Sequence, residues 1–267
     1  MYDSIALGGG GTRGFVHVGA LRALQEVRGT LTFPGGIYGQ SIGSIVATAV
    51  AFQVPLDDIE RMSKECLRMS EALPEARLEH VTEFMSSKGL FPMDVFEAHL
   101  LKAFRSVGID LEGKTISDAP QKLFITASNV TTGKSCLLTG DVPLIAALRC
   151  SCCIPFLFQP QTLFGHVFVD GAVYSRSIRL VVPKDTLVFQ IAGGEYGPTD
   201  FMSYVRAVLS GPSHQYRGET TLVFQQTTSL SPLADPSEED IRTLIQEGYS
   251  QARSWLAERI AEEADET

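Results

Sequence analysis

The chain has 267 residues, 44% of them hydrophobic, and a formal net charge of −9 at pH 7. This length and apolar content suit one large globular domain that buries most of its apolar surface. The negative charge argues against a protein that binds nucleic acid through phosphate contacts, because such binding needs an excess of basic side chains. It also argues against simple electrostatic docking on anionic lipid.

Neither the first residues nor any internal segment predicts a targeting signal. Residues 1–4 carry no basic leader. No run of about 18 uncharged apolar residues predicts a transmembrane helix. The five cysteines are odd in number and are not spaced as a disulfide framework, which indicates free thiols in a reducing compartment. We therefore expect a cytoplasmic protein that contacts membranes, if at all, at their surface.

Three of the cysteines, Cys150, Cys152 and Cys153, lie close together, and His166 follows. Thiolates and imidazoles are the usual ligands of structural zinc, so a metal site is one interpretation. The paired Cys-x-x-Cys spacing of such sites is missing, and small buried packing residues are the favoured interpretation. We expect no metal and no cofactor.

A glycine-rich loop follows the first predicted strand, Ser4–Leu7. It reads Gly8-Gly9-Gly10-Gly11-Thr12-Arg13-Gly14 and leads into apolar residues at helical spacing. A Rossmann loop needs an acidic residue about 20 positions on, and a Walker loop ends in Gly-Lys-Ser/Thr; both features are missing. An oxyanion hole needs only backbone N–H groups that converge beside a nucleophile. The oxyanion hole is the favoured interpretation.

A second glycine pattern, Gly39-Gln40-Ser41-Ile42-Gly43, has the form Gly-x-Ser-x-Gly. A short predicted strand precedes it, and a small, apolar, buried helix is predicted over residues 42–52. The pattern suits a nucleophilic serine on a sharp strand-to-helix turn, although a surface serine in a glycine-rich turn is the alternative. Because loops after neighbouring parallel strands emerge at one edge of a sheet, the first glycine loop and Ser41 are expected to face each other.

Residues 56–106 predict a helical excursion from the sheet. Residues 56–69 and 94–106 have amphipathic spacing, residues 71–88 are polar with weak periodicity, and residues 89–93 form an apolar loop. The apolar residues fit ordinary core packing or, alternatively, a lid or one wall of an apolar pocket. The apolar segment 154–158 fits the same two interpretations.

The second half of the chain alternates strands with helices, which indicates an α/β layer architecture. The predicted strands cover residues 122–128, 135–139, 164–169, 186–192 and 220–225. The predicted helices begin at Pro143, cover residues 201–209, and start at the N-cap Ser237. The last helix has a predicted buried stripe of Ile241, Leu244, Ile245, Gly248, Ala252, Trp255, Leu256 and Ile260. Residues 1–261 are expected to form a single domain, and residues 262–267 a frayed acidic tail.

A serine needs a base to accept its proton. The candidate histidines are His17, His80, His99, His166 and His214. Only His214 lies in a downstream loop, where an α/β-hydrolase places its histidine, but Ser41 comes too early in the chain for that plan. Asp170 follows an apolar strand and precedes Gly171, so its carboxylate is placed to accept the proton directly. The alternative for Asp170 is an ordinary Asp-Gly turn.

Three motifs stand in order: the glycine loop at Gly9, the serine motif at Ser41, and Asp170-Gly171-Ala172. Together they resemble the patatin-like phospholipase family. Residues 7–26, 127–134 and 149–160 are also similar to segments of that family. The resemblance covers residues 4–173, and the remainder agrees only in general layout.

The resemblance implies a Ser-Asp dyad on a three-layer α/β/α sandwich with a mainly parallel central sheet. It implies Ser41 as the nucleophile, Asp170 as the base, and an oxyanion hole made by Gly9, Gly10 and Gly11 with Arg13. Four further glycines support these motifs: Gly14, Gly39, Gly43 and Gly171. The family hydrolyses acyl esters of phospholipids and other lipids without a metal, so a lipid ester and a transient membrane or micelle interface are the implied partners.

The chain departs from the family pattern at two places. Residues 173–178 replace a segment where the family often has asparagine and proline. Gln40 and Ile42 replace smaller residues around the serine, and Gln40 is expected to affect the floor of the acyl site. Two alternatives to a lipid hydrolase remain: a soluble carboxylesterase or thioesterase, and a non-catalytic module that binds an anion or a lipid headgroup.

Overall fold

Strands and helices alternate along the chain. The computed structural model describes residues 2–73, 77–192, 218–225, 227, 230–231 and 233–265. The strands are β1 (Ser4–Leu7), β2 (Gly36–Gln40), β3 (Gly89–Phe91), β4 (Leu123–Asn129), β5 (Lys134–Leu138), β6 (Phe156–Phe158), β7 (Gln161–Leu163), β8 (His166–Asp170), β9 (Leu187–Ile191) and β10 (Thr221–Phe224). The helices are α1 (Phe15–Arg28), α2 (Ile42–Ala51), α3 (Leu56–Cys66), α4 (Met69–Ala72), α5 (Leu78–Ser87), α6 (Asp94–Ser106), α7 (Leu144–Cys152) and α8 (Glu238–Asp265).

The central sheet has the strand order β10-β9-β1-β2-β4-β8-β7, and β5 pairs with β4. The strands from β10 to β4 are parallel to their neighbours, whereas β5 and β8 are antiparallel to β4 and β7 is antiparallel to β8. Strands β1 and β2 are buried along their whole length, because a parallel sheet in an α/β fold is covered on both faces. The predicted fold class, a mostly parallel sheet flanked by helices, is confirmed.

Helices α1 and α8 pack closely against each other through glycine. A Cβ at Gly19 would lie 1.9 Å from the Ile245 carbonyl oxygen, and one at Gly248 would lie 2.1 Å from the Val16 carbonyl oxygen. Helix α8 begins with the predicted cap: the Ser237 hydroxyl accepts from the Asp240 N–H at 3.1 Å. The helix continues to Asp265, past the predicted boundary at residue 261.

Most of the predicted stripe of α8 faces the core. Ile241, Leu244, Ala252 and Leu256 are buried. Ile260 is 51% exposed, so its assignment to the stripe was wrong. The reason is its position in the last turns of the helix, beyond the part that packs on α1.

The helical excursion differs from its prediction at three places. Helix α3 ends at Cys66, and a separate short helix, α4, follows. Part of the polar segment 71–88 is helical, as α5. The apolar loop at 89–93 contains strand β3, which pairs in parallel with β6 in a small second sheet. Periodicity alone did not show this pairing, because each strand has only three residues and its partner is remote in sequence.

The strand predicted over residues 164–169 is confirmed as β8, which begins two residues later and is the second strand of a hairpin with β7. Phe164 and Gly165 form the turn between β7 and β8, with φ values of 50° and 77°. Two central residues with positive φ match the right-handed twist of the flanking strands. Strand β8 therefore starts at His166 and ends at Asp170.

Two predicted features, the helix over 201–209 and His214, lie outside the described residues. Each helix in the described part of the chain is too short or too polar to span a lipid bilayer.

Candidate active site

One row of residues crosses the sheet through four strands. Leu7 of β1 pairs with Gly39 of β2, so Gly9 comes opposite Ser41 two residues later. Gln40 pairs with Thr126 of β4, so Ser41 comes opposite Ala127, and Ala127 pairs with Asp170 of β8. The sheet register therefore brings the glycine loop, the serine and the aspartate together.

Ser41 occupies a strained turn between β2 and α2. Its φ of 52° and ψ of −129° lie outside the regions that non-glycine residues favour. The Ser41 N–H donates to Ser151 Oγ at 2.9 Å, and the Ser41 carbonyl accepts from the Ser44 N–H and hydroxyl. Because the backbone polar groups are held in this way, the side chain remains directed out of the turn.

The glycines of the serine motif are required by close backbone contacts. A Cβ at Gly43 would lie 2.1 Å from the Leu7 carbonyl oxygen, and one at Gly39 would lie 2.3 Å from Ser44 Cα. The other two motif glycines are crowded as well: a Cβ at Gly14 would meet Ile42 at 2.5 Å, and one at Gly171 would meet Thr126 at 2.5 Å. The motif spacing therefore follows from how tightly β1, β2, β4 and α2 pack.

The Ser41 hydroxyl donates to Asp170 Oδ2 at 2.7 Å. The other carboxylate oxygen, Oδ1, accepts from the Ala172 N–H at 2.8 Å. Asp170 is 5% exposed, and burial raises the pKa of its carboxyl to about 6, against the opposing effect of the two hydrogen bonds. The two predicted catalytic residues are therefore in direct contact, and the carboxylate is a stronger base than an exposed one.

The glycine loop lies beside this pair. A Cβ at Gly9 would lie 3.1 Å from Ser41 Cβ, and one at Gly10 would meet the Ile191 side chain at 2.6 Å. Gly11 begins a 3-10 helix, Gly11–Gly14, that leads into α1. The Arg13 side chain is buried and donates to the Gly10 carbonyl at 3.2 Å and the Ala192 carbonyl at 3.1 Å. The guanidinium thus braces the loop.

Gln40 does not form a floor open to substrate. It is buried, and its Nε2 donates to the Gly171 carbonyl at 3.2 Å and to the Ser175 carbonyl and hydroxyl at 2.9 and 3.0 Å. The expectation that Gln40 affects the floor of the acyl site is replaced by a positioning role. The two departures from the family pattern, Gln40 and residues 173–178, are in direct contact, because the Gln40 side chain binds the backbone carbonyl of Ser175.

The end of α7 connects the serine and the aspartate, which the sequence reasoning missed. The Ser151 hydroxyl binds the Ser41 N–H, and the Ser151 carbonyl accepts from the Gly171 N–H at 3.2 Å. The Asp170 N–H donates to the Cys153 carbonyl at 2.7 Å. The only available signal was the family resemblance of residues 149–160.

None of the four histidines in the described residues hydrogen-bonds to Ser41 or Asp170. His17 binds the Gly8 carbonyl, and His80 accepts from the Arg77 N–H. His99 Nε2 lies 3.5 Å from Glu71 Oε2, and His166 begins β8.

The cluster of Cys150, Cys152 and Cys153 is buried in the core, as the packing interpretation predicts. Over the described ranges, no group of three or more His, Cys, Asp or Glu side chains is placed to hold a metal ion.

The predicted apolar walls have mixed environments. Phe91, Met93 and Phe158 are buried in the core, which favours packing. Phe156 is 40% exposed and has a φ of 69°. A wall role for these segments stays a prediction.

The fold and the site define an α/β protein with a serine-aspartate pair next to a glycine loop. A family profile described as patatin-like phospholipase matches residues 5–179, and the chain therefore belongs to the patatin-like phospholipase family.

Two curated relatives and one solved structure are similar to the chain. It is 28% identical over 200 residues to an uncharacterized NTE family protein of Mycobacterium tuberculosis, covering 73% of this chain and 50% of the relative. It is 28% identical over 207 residues to the human 1-acylglycerol-3-phosphate O-acyltransferase PNPLA3, covering 73% of this chain and 40% of that protein. The chain thus matches half or less of the length of these relatives. The crystal structure of VipD from Legionella pneumophila has a TM-score of 0.56 at 15% identity, covering 96% of this chain and 67% of that chain, which supports the fold alone.

Proposed function

We propose that this chain hydrolyses carboxylic esters of lipids, as a phospholipase A or lysophospholipase, through an acyl-Ser41 intermediate and without a metal ion. The observation that carries the proposal is the 2.7 Å hydrogen bond from the Ser41 hydroxyl to Asp170 Oδ2 beside the glycine loop. Residues 1–261 are proposed to form the catalytic domain.

In the first half-reaction, Asp170 accepts the proton of Ser41 as Oγ attacks the ester carbonyl. The tetrahedral oxyanion receives hydrogen bonds from the backbone N–H groups of Gly9, Gly10 and Gly11, while Arg13 braces the loop. When the intermediate collapses, the leaving alkoxide takes the proton from Asp170. In the second half-reaction Asp170 deprotonates a water that attacks the acyl group, and the proton passes to Ser41 as the fatty acid leaves.

Two electrostatic features support this assignment. The pKa of about 6 leaves Asp170 ionised at neutral pH, yet closer to neutrality than an ordinary carboxyl, which improves a general base. Ser41 is also the N-cap of α2, so the developing negative charge lies at the positive end of the helix dipole.

We propose that α5 contacts the lipid surface. Leu78, Val81 and Met85 recur at helical spacing and are 78%, 61% and 85% exposed, and no residue of α5 is buried. In the chain, α5 is followed directly by β3, which pairs with β6. Strand β6 begins three residues after Cys153, whose carbonyl accepts a hydrogen bond from the Asp170 N–H. The charges on and beside α5 cancel, because Arg77 and Lys88 offset the two glutamates of the helix. Since the whole chain also carries a net charge of −9, a zwitterionic lipid surface is favoured over an anionic one.

Three other functions are separable by substrate. A soluble carboxylesterase or thioesterase would cleave short nitrophenyl esters and neglect phospholipid, lysophospholipid and triacylglycerol. A non-catalytic module would bind inorganic phosphate or a headgroup without ester turnover. The name of the human relative also makes acyl transfer a candidate, in which 1-acylglycerol-3-phosphate would replace water as acceptor.

Fluorophosphonate labelling tests the nucleophile. We expect wild-type protein to be labelled, and the Ser41→Ala variant to remain unlabelled with its fold intact by circular dichroism. Equal labelling of both would overturn the assignment of Ser41. Release of fatty acid from phosphatidylcholine by wild type, but not by Ser41→Ala, tests the substrate class.

A further inference from the structure

His17 is a fully buried histidine that the proposed reaction does not use. It lies in the first turn of α1, and its Nε2 is 2.8 Å from the Gly8 carbonyl oxygen. Because a carbonyl only accepts, Nε2 must carry the proton. The other ring nitrogen, Nδ1, is buried without a hydrogen-bond partner, so a proton there would be costly. The imidazole is therefore neutral, and burial lowers its pKa to about 4.

The Gly8 carbonyl belongs to the same peptide group as the Gly9 N–H. No cis peptide bond occurs in the described residues, so this carbonyl and this N–H point in opposite directions. Fixing the carbonyl against His17 therefore also fixes the direction of the Gly9 N–H, away from the imidazole.

The same carbonyl is confined from a second side. A Cβ at Gly43, on α2, would lie 2.7 Å from the Gly8 oxygen. The Gly8 N–H donates to the Phe189 carbonyl at 2.8 Å, as an extension of the β1–β9 pairing. That hydrogen bond anchors the preceding Leu7–Gly8 peptide, whereas rotation of the Gly8–Gly9 peptide itself is opposed by α2 and by the imidazole. Of these two restraints, only His17 can be changed without altering a glycine.

We propose that His17 is a positioning residue that aims the Gly9 N–H at the oxyanion formed on Ser41. The inference rests on the proposed function, because it assigns the Gly9 N–H to the oxyanion hole. An oxyanion donor contributes only when it is aligned before the reaction, since realigning it during the reaction costs the stabilisation it would provide. Glycine restricts its own backbone torsions little, because it has no Cβ, so a contact with a neighbouring group is needed to fix the orientation of this peptide.

Three variants test this role. His17→Leu removes the donor and keeps a buried apolar side chain, and His17→Gln keeps an N–H donor at a similar reach. Thr186→Val removes a buried 3.0 Å hydrogen bond to Ser4 at the opposite edge of the sheet, which matches the loss of stability without touching the loop. For each variant we would measure the melting temperature, kcat and KM on a soluble nitrophenyl ester, and the rate of fluorophosphonate labelling.

We expect His17→Leu to lower kcat and the labelling rate by about 10- to 100-fold with little change in KM, because a misaligned donor costs less than a deleted one. His17→Gln should recover most of the loss, and Thr186→Val should keep the wild-type kcat at a comparable melting temperature. A wild-type kcat in His17→Leu, or an equal fall in Thr186→Val, would show a purely structural role.

A readout independent of turnover separates this inference from the proposed function. Loss of the hydrogen bond to the Gly8 carbonyl changes the shielding of the Gly9 amide nitrogen, which two-dimensional NMR detects. We expect the Gly9 resonance to move in His17→Leu and to return in His17→Gln. An unmoved resonance contradicts the positioning role even if the wild type is active. A moved resonance in a protein without ester turnover would instead contradict the proposed function.

Discussion

The Ser41 hydroxyl and Asp170 Oδ2 are joined directly, at 2.7 Å, and none of the histidines in the described ranges mediates between them. The hydrogen bond is possible because Asp170 ends a strand that runs antiparallel to β4, in the same row of the sheet as Ser41. A carboxylate in this position gives the site a pH dependence and a stability cost, and both can be measured.

The first prediction concerns the pH profile. Because burial raises the pKa of Asp170 to about 6, the carboxylate is protonated and inactive as a base below that pH. We expect kcat/KM on a soluble ester to rise through about pH 6 and then to level off. Assays after return from acid to neutral pH control for unfolding. A profile that is flat across this range would argue against Asp170 as the base.

The second prediction is that Asp170→Asn trades activity for stability. A kcat at least about 100-fold lower is expected, because the general base is removed. The folded-state pKa lies above the unfolded value of 3.8, so ionisation disfavours folding; this cost is absent below pH 3.8 and complete above about pH 6. The variant should therefore gain about 3 kcal/mol in free energy of unfolding at neutral pH, and nothing at the lowest pH. Denaturant titrations at both pH values measure the difference, and an equal gain at both would contradict the linkage.

The third prediction concerns Gln40, whose Nε2 holds the backbone after Asp170. Gln40→Leu leaves the Gly171 and Ser175 carbonyls with fewer donors. We expect a loss of about 1–3 kcal/mol in stability and a fall in kcat, because the turn that carries Asp170 loosens. Gln40→Glu removes the same donor while keeping the volume. If both variants keep the wild-type kcat at a temperature where they are folded, the positioning role is refuted.

The fourth prediction concerns the exposed apolar face of α5. Met85→Glu should weaken binding to phosphatidylcholine vesicles by roughly 10-fold or more, because a buried methionine contributes about 1.5–3 kcal/mol. Activity on a soluble ester should not change. Glu79→Gln, an exposed change on the same helix, serves as the control. Unaltered vesicle binding in Met85→Glu would rule out this face as the lipid contact, and a change in sedimentation coefficient would indicate a second copy of the chain instead.

The fifth prediction tests the packing of α1 on α8. Gly248→Ala places a methyl group against the Val16 carbonyl, which is backbone and cannot turn aside. We expect a loss of about 1–3 kcal/mol in the free energy of unfolding, measured by denaturant titration. Ser250→Ala, at an exposed position of α8, should change stability by less than about 0.5 kcal/mol. Equal stabilities of these two variants would show that the helices can separate at little cost.

The sequence predicted most of the elements that carry the site, and the reasons are local. The glycine loop, the turn at Ser41 and the strand ending at Asp170 each follow from residue types whose backbone preferences act over a few positions. The short strands β3 and β7, by contrast, were missed, because three residues give no measurable period and their partners are remote or lie across a turn.

The supporting contacts of the site were also beyond the sequence. Gln40 is expected to affect the floor of the acyl site, but its side chain holds the Ser175 carbonyl instead. The hydrogen bond between Ser151 and the Ser41 N–H is not among the predictions. Such hydrogen bonds join segments more than a hundred residues apart, and no local pattern encodes them.

The sequence by itself determined the chemical groups: a serine on a glycine-flanked turn, a glycine loop before a helix, and an aspartate at the end of a strand. Only the tertiary structure decided that these groups meet, because the pairing of β1, β2, β4 and β8 sets the row on which Gly9, Ser41 and Asp170 lie. It also decided how basic the aspartate is. Burial, which depends on the packing of the whole domain, raises the pKa of that carboxyl to about 6, whereas the hydrogen bond from its sequence neighbour Ala172 lowers it.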